Sequence, residues 1–277
     1  MGTHVLTGAN GGIGKATVSE LKKREHTVIP VVRSDADLSL MHEVNRLADG
    51  LLAQHDSLDG LLLNAGVASS GTEVTSEGFQ KTFAVNHLGA FLLAHRLLPL
   101  LEKSPQGRIV LTGSSDHMAV KEASVVELAT STNPSFTRTY ANSKAVAMAA
   151  MLEMARRLTP VGYDAGAEPE DQPPFVRVNV ADPGWTRTGL TRNAPLPIRI
   201  LVRAGRPLQN RTKHSAKVLA DLATETDAFG TYTGIKGRLT TSVLLRDESF
   251  RRAAYDDTVR LLVDGGFAQE SDFLPAN

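Results

Sequence analysis

The sequence contains no cysteine, a single tryptophan and few other aromatic residues, and its charges cancel. Without cysteine there can be no disulfides, no thiolate chemistry and none of the common structural zinc sites, and we expect no bound metal. The 30 basic and 30 acidic residues leave no net charge that would favour nucleic acid as a partner. No apolar run reaches the roughly 20 residues that span a bilayer. Residues 1–7 already have the pattern of a strand, which leaves no room for a signal peptide, so we expect a cytoplasmic protein.

Strand-like and helix-like segments alternate along the 277 residues. The predicted strands cover residues 3–6, 27–32, 58–63, 107–112 and 175–180, with one more near 239–245. Helical patterns follow residue 14 and cover residues 39–55, 79–101, 140–158 and 247–266. This alternation predicts a single α/β domain built on a doubly wound parallel sheet with helices on both faces.

A glycine-rich segment, TGANGGIG at residues 7–14, lies between the first predicted strand and the first helical pattern. Glycine lets the backbone approach a phosphate closely, and the helix that follows offers unpaired N–H groups and the positive end of its dipole. The spacing G-x-x-x-G-x-G is a variant of the dinucleotide-binding fingerprint. A purely structural turn is the alternative, but the position between strand and helix favours phosphate binding.

The interval between the second and third predicted strands is short. A doubly wound fold usually places a helix, a strand and another helix there, whereas residues 33–57 have room for only about one crossover helix. We therefore expect one edge strand and its helix to be missing between Arg33 and Asp37. The parallel sheet should then have six strands rather than seven.

Small or polar residues follow the later strands, as NAG at 64–66, GSS at 113–115 and DPG at 182–184. Ligands of open parallel sheets bind beyond the carboxyl ends of the strands. These clusters and the glycine-rich segment are therefore expected to meet at one site.

Tyr140 and Lys144 are four residues apart in a helical pattern and so share one helix face. A free phenol has a pKa near 10, too high for proton transfer at neutral pH, and nearby positive charge lowers that pKa. A shift of about three units corresponds to about 4 kcal/mol. Taken alone, this spacing is more often an amphipathic helix with a core tyrosine and a lysine that reaches the solvent.

In this order and approximate spacing, the motifs together resemble the classical short-chain dehydrogenase/reductase family over residues 2–190. VNHLGAFLL at 85–93 and SSDH at 114–117 are most similar to its retinol-dehydrogenase-like branch. The resemblance implies a single Rossmann-like domain, with residues 1–113 as the dinucleotide-binding half and 114–277 as the catalytic half. It also implies a small-molecule carbonyl or alcohol substrate, and it is compatible with a homodimer or homotetramer.

The family's roles transfer to individual residues of this sequence. Tyr140 would exchange a proton with the substrate oxygen, and Ser114 would hydrogen-bond that oxygen. Lys144 would lower the pKa of the phenol and bind the nicotinamide ribose, and Asn86 would hold a water that links Lys144 to solvent. The expected cofactor contacts are Gly8, Asn10, Gly12, Ile13 and Gly14 in the glycine-rich segment, Asp37, Leu38, Asn64, Ala65 and Gly66 on the adenine side, and Pro183, Gly184, Thr186 and Thr188 at the nicotinamide end.

Two features depart from the usual family pattern. The segment before Asp37 is shortened, and Ser114 and Tyr140 are 26 positions apart. That interval exceeds the family's usual one, but longer intervals are typical of the retinol-dehydrogenase-like branch.

Arg33 favours NADP(H) over NAD(H) as the cofactor. NAD sites usually place a carboxylate at the end of the second strand, where it would repel a 2′-phosphate. Here that position, 19 residues beyond Gly14, is Arg33, whose guanidinium can bind phosphate. Asp35 lies nearby, and Gly11 stands where NADP-binding relatives often have a basic residue, and both count against this choice.

The resemblance implies an NADP(H)-dependent oxidoreductase that interconverts a carbonyl and an alcohol on a small or medium organic molecule. A non-redox dinucleotide sensor or scaffold is one alternative. An enzyme that uses the same site for elimination, epimerisation or cyclisation is another. A scaffold has no need of Asn86, Ser114, Tyr140 and Lys144 together, which favours the oxidoreductase.

The charged residues of segment 187–213 are all basic: Arg187, Arg192, Arg199, Arg203, Arg206, Arg211 and Lys213. The segment follows the predicted strand that ends before Pro183, where the family has its substrate-covering segment. It predicts a mobile lid that favours an anionic or polar acidic ligand. The alternatives are a solvated basic face and a docking site for an acidic carrier protein or an anionic membrane.

Overall fold

The computed structural model describes residues 1–69, 72–133, 135–164, 175–186, 196, 200, 203 and 209–275. The strands are β1 (Thr3–Thr7), β2 (Thr27–Val31), β3 (Gly60–Leu63), β4 (Arg108–Thr112), β5 (Arg177–Ala181), β6 (Tyr232–Gly234) and β7 (Gly237–Arg238). The helices are α1 (Gly12–Lys23), α2 (Met41–Gln54), α3 (Lys81–Phe83), α4 (Gly89–Arg96), α5 (Leu98–Leu101), α6 (Val125–Ala129), α7 (Phe136–Leu158), α8 (Thr212–Thr224), α9 (Val243–Arg246) and α10 (Glu248–Asp264). A π-helical turn, Ala84–Leu88, joins α3 to α4, and 3-10 turns cover Ser115–Ala119 and Glu270–Asp272.

The strands form one sheet in the order β2-β1-β3-β4-β5-β6-β7. The chain passes from β2 to α2 through residues 32–40 without another helix or strand, which confirms the predicted loss of a strand and its helix. The predicted number of strands needs correction. Six strands run parallel, and β7 adds a seventh, antiparallel strand of two residues beside β6. Strand β2 becomes the other edge, where Pro30 is tolerated because an edge strand can lack an N–H group.

Two hydrophobic cores lie on opposite faces of the sheet. On β3, Leu61 and Leu63 belong to the core beneath α2, α4, α7 and α10, whereas Leu62 belongs to the core beneath α1 and α8. Ile109 and Val110 on β4 divide in the same way. Successive residues of a strand point to opposite faces, so a sheet covered on both sides needs consecutive apolar residues.

Three of the predicted elements differ in the structure. The helix expected over residues 79–101 is interrupted by the π-helical turn and by a new turn, α5, with Pro99 in its first turn. Helix α7 begins at Phe136 rather than Tyr140, because Ser135 Oγ accepts the N–H of Arg138 and caps it. The strand expected near residues 239–245 is wrong, since Val243–Arg246 is a helix capped by Ser242. The predicted elements also do not include α8 or β6.

Among the residues described, no helix has both the length and the apolar character that crossing a bilayer requires.

A buried ionic network joins α7 to α10. Glu153 is fully buried and accepts hydrogen bonds from Arg156 and Arg157. Arg157 also donates to Asp256 on α10 at 2.6 Å and to the carbonyl oxygen of Leu274 at 3.1 Å. Burial works to raise the pKa of Glu153, but the hydrogen bonds from the two arginines outweigh it and hold that pKa below its ordinary value. The network fixes the helix that carries the predicted tyrosine–lysine pair.

We expect Arg157→Ala to lower the free energy of unfolding by about 3 kcal/mol, because it leaves a buried carboxylate with only part of its compensation. Urea unfolding would measure the change. Arg260→Ala is the matched control. Arg260 lies on α10, the helix that Arg157 contacts, and forms an ion pair with Asp257, but its side chain is 71% exposed. The control should lose less than about 1 kcal/mol. Equal losses in the two variants would contradict a stabilising role for the buried network.

Candidate active site

A cavity of 880 Å³ opens at the carboxyl ends of strands β1 to β5. The predicted residues that line it are Gly8, Asn10, Gly12, Ile13, Gly14, Arg33, Asp37, Leu38, Asn64, Ala65, Gly66, Ser114, Tyr140, Lys144, Pro183, Gly184 and Thr186. Asn86 is buried next to the cavity rather than in its lining. Thr188 lies outside the described residues. The structure thus brings together the clusters that follow the separate strands.

The glycine-rich turn is shaped so that only glycine fits at two of its positions. Gly8 has a φ of 67°, and its carbonyl oxygen accepts the N–H of Gly11 at 3.0 Å. A Cβ on Gly14 would overlap that same carbonyl oxygen. Helix α1 begins directly after Gly11, and no described side chain caps its first N–H groups. Those N–H groups and the helix dipole are therefore left for an anion.

Asn64 ties the glycine-rich turn to the end of β3. Its Nδ2 donates to the carbonyl oxygens of Thr7 at 3.0 Å and Gly8 at 3.3 Å. Thr7 Oγ1 in turn accepts the backbone N–H groups of Asn64 and Ala65, both at 3.1 Å. The carboxyl ends of two neighbouring strands are held together by polar contacts.

At the far end of the cavity, Arg33 and Asp37 form an ion pair. Arg33 Nη2 and Nε donate to Asp37 Oδ2 at 2.7 Å and 3.1 Å, and Ser39 donates to Oδ1. Partial burial works to raise the pKa of Asp37, but the hydrogen bonds from Ser39 and Arg33 outweigh it and hold that pKa below its ordinary value. Arg33 Nη1 has no hydrogen bond to any described residue, and its side chain is 68% exposed.

Lys144 and Asn86 lie below the middle of the cavity. Lys144 is buried on α7, its Nζ donates to the carbonyl oxygen of Thr112 at 2.9 Å, and burial lowers its pKa to about 8. Asn86 belongs to the π-helical turn, a feature frequent at functional sites. Its Oδ1 accepts the N–H of Val67 at 2.8 Å, and its Nδ2 donates to Ser143 Oγ at 3.0 Å.

Gly66 lies beside both of these side chains. A Cβ at this position would lie 3.4 Å from Asn86 Oδ1 and 3.5 Å from Lys144 Nζ, which are ordinary contact distances. A hydrogen-bond acceptor and a donor, the partners that an ordered water needs, are therefore both close to the backbone of Gly66.

Tyr140 and Ser114 line the same cavity. Burial raises the pKa of Tyr140 well above its ordinary value, and the carboxylates of Asp116 and Asp182 raise it further, whereas the side chain of Ser114 acts to lower it. The expected lowering of this pKa by Lys144 is not found among the protein groups alone. Lys144 Nζ is directed to a backbone carbonyl, and the charges that act on the phenol are carboxylates.

Asp116 and Trp185 line the cavity but are absent from the predicted site. Asp116 follows Ser114 by two residues, and Trp185 follows Gly184 directly. Their positions beside predicted site residues are the only sequence signal that points to them, and nothing local tells a cavity-facing side chain from a solvated one.

Two buried side chains, His117 and Asp182, hold the loops that carry the site. His117 Nε2 accepts the N–H of Ser242, so the neutral ring carries its proton on Nδ1 and donates it to the carbonyl oxygen of Ser114 at 2.7 Å. Asp182 accepts from the hydroxyl of Tyr232 at 2.6 Å and from the N–H of Gly184 at 2.8 Å. These hydrogen bonds hold the loops after β4 and β5 in place.

Most of the basic segment 187–213 lies outside the described residues. Of its charged residues, Arg203, Arg211 and Lys213 are described, and Lys213 lies in the first turn of α8. The mobile lid stays a prediction. What the structure does show is that the N–H of Asn210 donates to the carbonyl oxygen of Trp185 at 2.7 Å, which joins the segment before α8 to the loop after β5.

Several known proteins are similar to this chain in sequence. The family model described as short chain dehydrogenase matches residues 31–197. Dehydrogenase/reductase SDR family member 13 of Bos taurus is 32% identical over 71% of this chain and 58% of its own length. Retinol dehydrogenase 14 of Mus musculus is 30% identical over 75% of this chain and 66% of its own length. The chain thus spans less than two thirds of the length of these curated relatives.

A solved structure is similar in fold. The 3-alpha-hydroxysteroid dehydrogenase from a Pseudomonas species, in complex with NADH, superimposes with a TM-score of 0.61 and is 23% identical, over 84% of this chain and 94% of that one. The match to the family model covers more than half of the chain, including both the end of β2 and the tyrosine–lysine pair. The chain therefore belongs to the short-chain dehydrogenase family, in its retinol-dehydrogenase-like branch.

Proposed function

We propose that this protein is an NADP(H)-dependent oxidoreductase that interconverts a carbonyl and an alcohol on a small or medium organic molecule. The observation that carries the proposal is that Tyr140, Ser114 and Lys144 line one cavity with the N-terminus of α1, which no described side chain caps. A redox cofactor and a pair of oxygen-binding hydroxyls are what this chemistry needs in one place. Membership of an oxidoreductase family supports it.

The two hydroxyls would bind the substrate oxygen and stabilise the negative charge that develops on it. Because the pKa of Tyr140 is raised, the phenol stays protonated at neutral pH and can act as the general acid in carbonyl reduction. A nicotinamide cofactor held in this cavity would supply the hydride for the carbonyl carbon. Tyr140 gives its proton to the oxygen, and Lys144 and a water beside Gly66 would return a proton from solvent.

The residues present fit a dinucleotide. A Cβ at Gly14 would displace the carbonyl of Gly8 from the turn, and the first N–H groups of α1 would bind the diphosphate. Lys144 and Tyr140 would contact the nicotinamide ribose. Pro183, Gly184 and Thr186 lie on the loop after β5, where they would border the nicotinamide.

The ion pair at the adenosine end supports NADP(H) over NAD(H). Asp37 holds one edge of the Arg33 guanidinium and leaves Nη1 for a 2′-phosphate. The same carboxylate could also accept a ribose hydroxyl, which would suit NAD(H). Only NADP(H) has a 2′-phosphate that would pair with the exposed guanidinium of Arg33, and this is the contact that would favour it over NAD(H).

The assignment of residues 1–113 and 114–277 to a dinucleotide-binding and a catalytic half follows from this proposal. The homodimer or homotetramer, the cytoplasmic location and the contact of Thr188 with the cofactor stay predictions.

An enzyme for elimination, epimerisation or cyclisation would use the same residues. Net consumption of NADPH with a carbonyl substrate would distinguish an oxidoreductase from such an enzyme.

Loss of NADPH absorbance with a panel of ketones and aldehydes tests the proposal. Tyr140→Phe should lower kcat by at least about 10²-fold with cofactor affinity largely kept, because it removes the general acid but not the ribose contact of Lys144. Lys144→Ala should lower both kcat and cofactor affinity. Near-normal carbonyl reduction by Tyr140→Phe would show that another group supplies the proton.

Arg33→Asp should reverse the cofactor preference, because a carboxylate at this position repels a 2′-phosphate and accepts ribose hydroxyls. We expect kcat/KM for NADPH to fall by about 10²-fold, a size typical of losing a charge-assisted contact. The ratio of kcat/KM for NADPH and NADH is the measurement. Arg260→Asp, on the exposed face of α10, is the control for a change in overall charge. Equal kcat/KM for both cofactors in the unmodified protein would contradict the NADP(H) preference.

Asp116→Asn should shift alcohol oxidation to lower pH. Oxidation needs the phenolate of Tyr140, and the Asp116 carboxylate disfavours it, so its removal lowers the pKa of the phenol. We expect the midpoint of the pH profile of kcat/KM for oxidation to fall by about half a unit, less at high salt. Glu122→Gln removes the same charge outside the cavity and should leave the profile unchanged. An unshifted Asp116→Asn profile would show that the carboxylate does not act on the phenol.

A further inference from the structure

One carboxylate residue of the cavity lining, Asp116, has no partner among the described residues. The backbone N–H of Asp116 donates to Ser114 Oγ at 3.3 Å, which places this residue beside the hydroxyl that would bind the substrate oxygen. Its side chain lines the cavity and has no hydrogen bond or ion pair to any described residue. The charge acts on the phenol of Tyr140, so it lies within electrostatic reach of the reacting atoms.

The other charged residues of the lining are already partnered. Asp37 is paired with Arg33 at 2.7 Å, and Lys81 is paired with Glu73 at 2.9 Å. The lysine of the tyrosine–lysine pair donates to a backbone carbonyl deep in the site. In the described part of the lining, Asp116 is thus the carboxylate left without a cation.

Trp185 supplies an aromatic surface to the same cavity. It is 48% exposed and lies on the loop after β5, where its carbonyl oxygen accepts the N–H of Asn210. A carboxylate and an indole ring in one cavity are the two groups that proteins use to bind an ammonium ion, through an ion pair and through the negative face of the ring. An anionic substrate would meet repulsion from Asp116 at this end of the cavity.

We propose that the substrate of this site carries a protonated amine close to its reacting carbonyl or hydroxyl carbon, and that Asp116 and Trp185 bind the ammonium group. The inference rests on the proposed oxidoreductase function and adds the chemical class of the substrate. It predicts the opposite charge preference from the one that the basic segment 187–213 suggests, so a single series of substrates decides between them.

The first experiment compares three cyclohexanones that differ only at the 4-position. 4-(Dimethylamino)cyclohexanone is a cation, 4-isopropylcyclohexanone is its neutral isostere, and 4-oxocyclohexanecarboxylate is an anion. We expect kcat/KM for NADPH oxidation to be about tenfold higher for the cation than for the neutral ketone, and lowest for the anion. The advantage should lie mainly in KM and should shrink with added salt.

Asp116→Asn should abolish the preference for the cation, so that the ratio of kcat/KM for the cationic ketone to that for the neutral ketone falls to about one. Glu122→Gln is the matched control, because it removes a carboxylate six residues further along that is exposed but outside the cavity lining. The control should keep the preference. Trp185→Leu should reduce it by a smaller factor, because the ion pair remains.

The second experiment measures binding without turnover. Trp185 is the only tryptophan in the sequence, so intrinsic fluorescence of the NADP⁺ complex reports on this site. N,N-Dimethylcyclohexylamine should give a saturable change that Asp116→Asn weakens about tenfold, whereas cyclohexanecarboxylate should give none. The affinity for NADP⁺ itself should be equal in the unmodified protein and in Asp116→Asn.

The outcomes separate the two proposals. Amine binding that depends on Asp116, without NADPH oxidation by any ketone, would support the ammonium site and refute the oxidoreductase function. Turnover of the neutral ketone with no charge preference, or with a preference that survives Asp116→Asn, would overturn the ammonium site alone. Preference for the carboxylate, or a loss of NADP⁺ affinity in Asp116→Asn, would also overturn it.

Discussion

The site depends on the parallel pairing of β1, β3, β4 and β5. Parallel strands bring their carboxyl ends to one edge of the sheet. The register places Leu6 beside Leu62 and Leu62 beside Val110, so neighbouring strands end at the same level. The glycine-rich turn, the loop at Gly66 and the loop at Ser114 consequently reach one cavity. Apolar residues at consecutive positions on these strands keep both faces covered, and the polar chemistry is confined to the ends.

Loss of the edge strand and its helix changes the part of the cavity that Arg33 and Asp37 line. The chain needs only residues 34–36 to pass from Arg33 to Asp37, so a carboxylate expected beside the adenine is also the partner of the guanidinium expected to bind phosphate. Asp37 is in turn fixed by Ser39. In the proposed enzyme, cofactor choice would be coupled to the geometry of a short turn, and a substitution at either residue of the pair would act on both expected contacts.

Local patterns predicted what is decided locally. The polar residues after each strand and the four-residue spacing of Tyr140 and Lys144 are visible in the sequence, and in the structure these residues line one cavity at the ends of the parallel strands. Strands of three and two residues, β6 and β7, have too few positions to show a period, and their pairing is decided by contacts far along the chain. The raised pKa of Tyr140 depends on burial, and the lack of a partner for Asp116 among the described residues depends on what lies across the cavity, and neither is visible in the spacing of residues.

The carboxylates of Asp182 and Asp116 both act on the phenol of Tyr140, but they differ in their hydrogen-bond partners among the described residues. Asp182 has both oxygens engaged, by the Tyr232 hydroxyl and the Gly184 N–H, so its effect on the phenol is fixed by the protein. The effect of Asp116 changes with whatever binds beside it. A cation there would weaken the field that disfavours the phenolate, and because one pKa unit corresponds to about 1.4 kcal/mol, even a fractional shift alters how readily the proton moves. Recognition of the substrate's charge and proton transfer at its oxygen would then be two results of a single electrostatic contact.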